Sequence, residues 1–168
     1  AGGRSGLPNS LIAHGVSMAD LARQHREIDA VNRRYKGRFR VLKGIEANVL
    51  ANGRLDMTPS ELAQVELVVA SPHSGLRSDA DQTARMVTAV STPGVHILGH
   101  PRGRQIGSRP GIKANWRKVF DRAATTGVAI EIDGDPRRQD IDYVLAGQAL
   151  AAGCFFALDS DAHAPDEL

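Results

Sequence analysis

Strands alternating with helices along most of the chain predict an α/β fold built on a parallel sheet. Three observations carry that expectation. Short apolar runs recur at 39–50, 67–73, 95–101, 128–133 and 154–161. The segments between them place apolar residues at helical spacing. The runs are also nearly continuous in Val, Ile, Leu and Ala, the pattern of strands covered on both faces.

The elements follow in order. Ser17 is placed to cap a first helix whose apolar face is Leu21, Ile28, Val31 and Tyr35, with Gly37 closing it. "FRVLKGIEANVL" reads as a strand, "ANGRLD" as a turn or hairpin, and "TPSELAQV" as a short helix. "LVVASPH" is the second strand, and "DADQTARMVTAV" a helix with Met86, Val87 and Val90 inward. "VHILGHP" is the third strand. The irregular "PRGRQIGSRPG" that runs on from it to residue 111 reads as a surface loop over the top of the sheet. "KANWRKVFDRAATTG" sets Trp116, Val119, Phe120 and Ala123 on one helical face. "VAIEID" is the fourth strand, "DIDYVLAGQALAAG" a helix through Val144, Leu145 and Ala149, and "CFFALDSD" a last strand that opens as a buried run. No repeat, linker or composition shift interrupts the chain, so 1–168 is expected to be a single domain.

The totals fit one soluble domain with a core: 168 residues, 42% hydrophobic and 24% charged. The net charge of +2 is mild, with acids and bases interleaved, which gives little support for nucleic-acid binding and none for a basic tail. The one cysteine, Cys154, excludes an internal disulfide and suits a reducing cytoplasm. No apolar run is long enough to span a membrane. The start lacks both a signal-peptide pattern and an initiator Met, so the chain is expected to begin inside a longer protein.

Chemistry gathers at the strand ends. The first ends in Glu46 and Asn48, the second in His73, the third in His100 and Arg102, the fourth in Glu131 and Asp133, the fifth in Asp159, Asp161 and His163. Parallel α/β folds bring the carboxyl ends of their strands to one face. Glu46, His73, His100, Asp161 and His163 are therefore expected to converge, with Asp161 and His163 on one side of an extended backbone. Mixed imidazole and carboxylate donors suit zinc, manganese or iron. A carboxylate can bridge two cations, which makes Glu46 and Asp161 the bridging candidates. Clustered cations lower the pKa of water and neutralise anionic oxygens, which points to phosphoester hydrolysis. Asp161 alone would also serve as a helix N-cap. His96 opens its strand at the end opposite His100, His25 reads as packing, His14 lies in a Gly-flanked loop, and Cys154 reads as inert core. "AGGRSG" lacks the strand and helix of a nucleotide-binding loop.

"LKGIEANVL", "VVASPHSG", "ILGHPRGR", "VAIEIDGDPRRQD" and "ALDSDAH" together resemble successive motifs of the PHP (polymerase and histidinol phosphatase) family. The likeness is nearest to its stand-alone phosphoesterases and to the PHP domain of bacterial family X DNA polymerases. It implies a distorted (β/α)7 TIM-like barrel with up to three divalent metal ions at one rim. It also implies phosphatase or 3′–5′ nuclease activity through activated water, on a small phosphomonoester or a DNA end. By the resemblance Glu46 is the bridging glutamate, His73 and His100 are single-histidine ligands, and Asp161 and His163 are the closing Asp-x-His pair. Glu46 and Asp161 then serve catalysis, and Arg102, just after "GHP", contacts phosphate. Glu131 and Asp133 shape the pocket without being usual ligands. The family's His-x-His strand and its closing segment have no match here, so the barrel is expected to be partial and the chain a piece of a longer protein. That protein could carry a polymerase domain. The alternatives are a catalytically incomplete PHP module serving as structure beside a polymerase, and a rim-metal hydrolase of the amidohydrolase type. The latter's expected metal-bridging lysine has no counterpart here.

Overall fold

A hydrogen-bonding choice at Val41 keeps the residues after the first helix out of a strand. Asn32 donates its amide N–H to the Val41 carbonyl (2.9 Å) and accepts the Val41 N–H (2.7 Å), so that residue's backbone is taken by a side chain and not by a strand ladder. The strand expected from residue 39 accordingly begins at Gly44. The computed structural model describes residues 16–162 and residue 164. Its contacts divide the chain into Ala1–Lys43 and Gly44–Leu168.

In the first unit, α1 (Met18–Arg34) starts at Ser17, whose hydroxyl accepts from the Asp20 N–H. Leu21 is buried, whereas Val31 and Tyr35 of the expected apolar face are substantially exposed. The chain turns at 35–38, with the N–H groups of Arg38 and Phe39 bonded to the Tyr35 carbonyl.

The second unit runs β1 (Gly44–Asn48), α2 (Pro59–Leu62), β2 (Leu67–Ser71), α3 (Thr83–Val90), β3 (Ile97–Leu98), α4 (Trp116–Thr126), β4 (Ala129–Asp133), α5 (Tyr143–Ala152) and β5 (Phe156–Asp159). The five strands are parallel and in the order β1-β2-β3-β4-β5. Because right-handed crossovers are the rule and the order never reverses, successive helices are expected on one face. The core lies on that face: Ala47, Val68, Ala70, Leu98 and Ile130 of the strands pack with Leu62, Met86, Val90, Trp116, Val119, Phe120, Ala123 and Ala149.

Local chemistry sets the helix ends. Thr58 and Glu61 form a reciprocal capping box, Asn115 and Asp142 cap α4 and α5, and Gly127 and Gly153 close those helices in the left-handed region. The ladder of β3 is short because His100 has φ 20° and Pro101 has no N–H, although His96 and Gly99 still donate to the Val68 and Ala70 carbonyls.

Two expectations need correction. Val144 is exposed, because Asp142 starts α5 in a phase that turns Ala149 inward. The last strand is not a buried run either. Cys154 is buried, with its thiol donating to the Phe120 carbonyl, but Phe155 is exposed and Leu158 is 78% exposed, since β5 is an outer strand of the described sheet.

Candidate metal centre

Side chains alternate along a strand, so the residues between the core positions face the opposite side of the sheet. On that side lie Glu46 and Asn48 of β1, Val69 and Ser71 of β2, Gly99 after β3, and Glu131 and Asp133 of β4. The register carries Glu46 against Val69 and Asn48 against Ser71. Gly99 fits between neighbours: a Cβ there would meet Ser71 Oγ at 2.3 Å and Val69 Cγ1 at 2.6 Å. The small residue lets β3 approach closely and sets His100 over Glu46.

Glu46 is the centre of the arrangement. Its Oε1 lies 3.0 Å from His100 Nε2 and 3.4 Å from His73 Nε2. One donor atom from each of the three falls within 4.8 Å of the others, and the two rings meet edge to face with centroids 5.0 Å apart. Burial alone would raise the Glu46 pKa, but hydrogen bonds from His100 and His73 outweigh it and hold the carboxyl far below its ordinary range. His100 is the buried member. Burial disfavours its charged form, yet the hydrogen bond and charge of Glu46 raise its pKa above the ordinary value.

The proton on His73 can be placed by elimination. Asn48 donates its amide N–H to Asp56 Oδ2 (2.6 Å), which turns Asn48 Oδ1 toward His73 Nδ1 at 2.5 Å. An amide oxygen only accepts, so Nδ1 carries the proton. Nε2 is then the atom that faces Glu46, a donor to it in the doubly protonated ring and open to a cation in the neutral one. Donors about 2.1 Å from one tetrahedral ion stand about 3.4 Å apart, which is the Glu46–His73 separation, while the 3.0 Å between Glu46 and His100 is that of a direct hydrogen bond. His100 Nδ1 is buried and has no hydrogen-bond partner among the described residues. A mixed N/N/O donor set with one ring locked by a carboxamide fits a borderline divalent cation.

The other expected site residues are placed as follows. Asp161 accepts from Arg138 Nη2 at 2.6 Å, and Arg138 Nε lies 3.1 Å from Asp133 Oδ2. Asp161 has φ 49°, so the backbone there is not extended as the i, i+2 reading of 161 and 163 required. His163 and His14 lie outside the described residues. The Arg102 guanidinium points to Asp142 (3.5 Å) and the Pro110 carbonyl (3.3 Å). Glu131 accepts the His100 backbone N–H; burial and a hydrogen bond to Asp159 push its pKa up to about 9. His96 accepts the Val68 N–H at the amino end of the sheet, away from Glu46.

Several working residues escaped the sequence reading. Asn48 is two positions from Glu46 and so shares its face, a signal open to inspection. Asp140 is buried and accepts the N–H groups of Arg102 and Arg104, which fixes the loop after His100. Arg85, also buried, donates to the carbonyls of Val49, Leu50 and Ser74, tying the loop after β1 to the loop after β2. Neither of these has a local signature.

The chain is 33% identical over 153 residues to the DNA polymerase/3′-5′ exonuclease PolX of Bacillus subtilis (strain 168), covering 90% of this chain and 27% of that protein. It is 31% identical over 134 residues to a probable phosphatase of Caldanaerobacter subterraneus subsp. tengcongensis, covering 73% of this chain and 50% of that one. A probable phosphatase of Shewanella loihica is 29% identical over 161 residues. The similarity is to named phosphatases and an exonuclease. The chain spans about a quarter of the polymerase and half of the first phosphatase. No protein-family model matches it.

Proposed function

We propose that this chain carries the site of a metal-dependent phosphoesterase of the PHP type, on a sheet that forms part of a TIM-like barrel. The observation that carries the reading is Glu46 Oε1 within reach of both His73 Nε2 and His100 Nε2 beyond the ends of parallel strands. The names of the relatives, phosphatase and 3′-5′ exonuclease, support the reaction class. The unreversed strand order supports the barrel.

In this reading Glu46, His73 and His100 hold a divalent cation, and Asp161 and His163 extend the ligand set. A cation bound there lowers the pKa of water and neutralises phosphate oxygens. The chain's own groups do the positioning. Asp56 fixes Asn48, and Asn48 holds the His73 Nδ1 proton, so Nε2 is the atom that faces Glu46 and would coordinate. Glu131 anchors the His100 backbone, and its raised pKa disfavours a second negative charge beside Glu46. Arg102, on the loop that Asp140 holds, would supply positive charge for a phosphate oxygen on leaving Asp142. The substrate is a small phosphomonoester or a DNA 3′ end, and a polymerase domain in the same polypeptide would favour the latter.

Metal quantification on the full-length protein, with phosphatase and single-stranded DNA exonuclease assays on the same preparation, tests the reading. Glu46→Gln should keep the fold and lose about 10³-fold in turnover, near 4 kcal/mol of transition-state stabilisation. Undiminished turnover of every substrate by that variant would sink the assignment.

A further inference from the structure

Outside the metal centre, the segment 33–43 concentrates charge and aromatic surface. It reads "RRYKGRFRVLK", with six cations in eleven residues and no acid. Two triplets, Arg34-Tyr35-Lys36 and Arg38-Phe39-Arg40, repeat a cation–aromatic–cation order at a spacing of four. The near-neutral total of the whole chain hides this local excess.

The structure presents the segment in a defined shape. It leaves the last turn of α1 and passes through a turn made possible by Gly37 at φ 81°. The Arg38 and Phe39 N–H groups close that turn on the Tyr35 carbonyl. The guanidinium carbons of Arg34 and Arg38 lie 5.6 and 5.8 Å from the centre of the Tyr35 ring. Stacking on the ring limits the freedom of both cations before any ligand arrives. Phe39, flanked by two arginines, is 64% exposed. Lys43 pairs with Asp29 and is not counted among the ligand groups.

We infer that residues 33–40 form a binding site for single-stranded nucleic acid, with Arg34, Lys36 and Arg38 on the phosphates and Phe39 as the stacking platform for a base. Single strands are held by a line of positive charge combined with exposed aromatic faces, which is the combination this segment carries. The spacing argues against a membrane surface. Insertion into lipid needs a continuous apolar face, and here each aromatic is separated from the next by cations. The inference does not depend on the metal centre.

Fluorescence anisotropy on the full-length protein tests it, with labelled oligo-dT and oligo-rU as probes and phosphatidylserine vesicles as the competing surface. Log affinity should fall linearly with log salt. The R34Q/K36Q/R38Q variant should make that slope shallower by about 2, since each phosphate no longer neutralised removes about 0.7. Phe39→Ala should weaken binding at least about fivefold and leave the slope unchanged. Comparison of the two oligonucleotides shows whether DNA or RNA is preferred, and thermal melts confirm that the variants are folded. Oligonucleotide affinity and slope equal to wild type in both variants would overturn the inference. So would vesicle binding that depends on these residues while neither oligonucleotide is retained.

Discussion

At the scale of single residues, the centre is governed by which proton sits where. Asn48 places the His73 proton on Nδ1, and Glu46 holds its charge against burial because two imidazoles face it. Glu131 shows the opposite outcome: burial and the neighbouring Asp159 carboxylate raise its pKa to about 9 from the ordinary 4.5. Between those two values the folded metal-free protein binds more protons than the unfolded chain, so stability falls as pH rises through that window. Glu131→Gln reproduces the neutral form, keeps an oxygen for the His100 N–H, and should flatten the decline. Urea unfolding at pH 5, 7 and 9 measures it, and equal slopes in both proteins would show that Glu131 is ionised in the fold. Glu46, His73 and His100 were legible as polar residues at the ends of apolar runs. Asp140 was not, and nor was the bond from Arg138 to Asp161, because these partners lie 23 to 38 residues away and only the folded loops bring them together.

At the scale of elements, two glycines give opposite expectations. Gly99 follows β3 where a methyl group would strike Ser71 Oγ and Val69 Cγ1. Gly99→Ala should cost about 1–3 kcal/mol by overpacking and displace His100, reducing metal content as well as Tm. Gly147 lies inside α5 with nothing within 4 Å of an added Cβ. Gly147→Ala should therefore stabilise by about 0.5–1 kcal/mol through helix propensity. Thermal melts of the pair check both signs, and a neutral Gly99→Ala would mean that the strand ends have room to relax. Helices were read well because their signals are local: Ser17 was read as a cap, and Thr58, Asn115 and Asp142, which were not, likewise bond an N–H within three residues. Strands were read too long, since their length depends on a neighbouring backbone and on competitors such as Asn32.

At the scale of the whole molecule, the sheet of the Gly44–Leu168 unit ends on β1 and β5 among the described residues. Phe155 beside β5, Leu158 within it, and Tyr143, Val144 and Leu150 on α5 are exposed apolar side chains. An open strand edge next to apolar surface promotes association. The 168-residue chain expressed by itself should self-associate in sedimentation velocity, and Leu158→Lys should shift it toward monomer. A wild-type chain that stays monomeric at every concentration would show that this edge is protected.

The amino-acid order by itself determined the alternation of strand and helix, the helix caps and the placing of Glu46, His73 and His100 after apolar runs, because periodicity and capping act within a few residues. Tertiary structure decided the rest. It set which face of each strand carries charge, which nitrogen of His73 faces Glu46, that Arg102 turns to Asp142, and that Arg138 holds Asp161. Those outcomes rest on contacts between residues distant in the chain, whose energies exist only once the strands are in register.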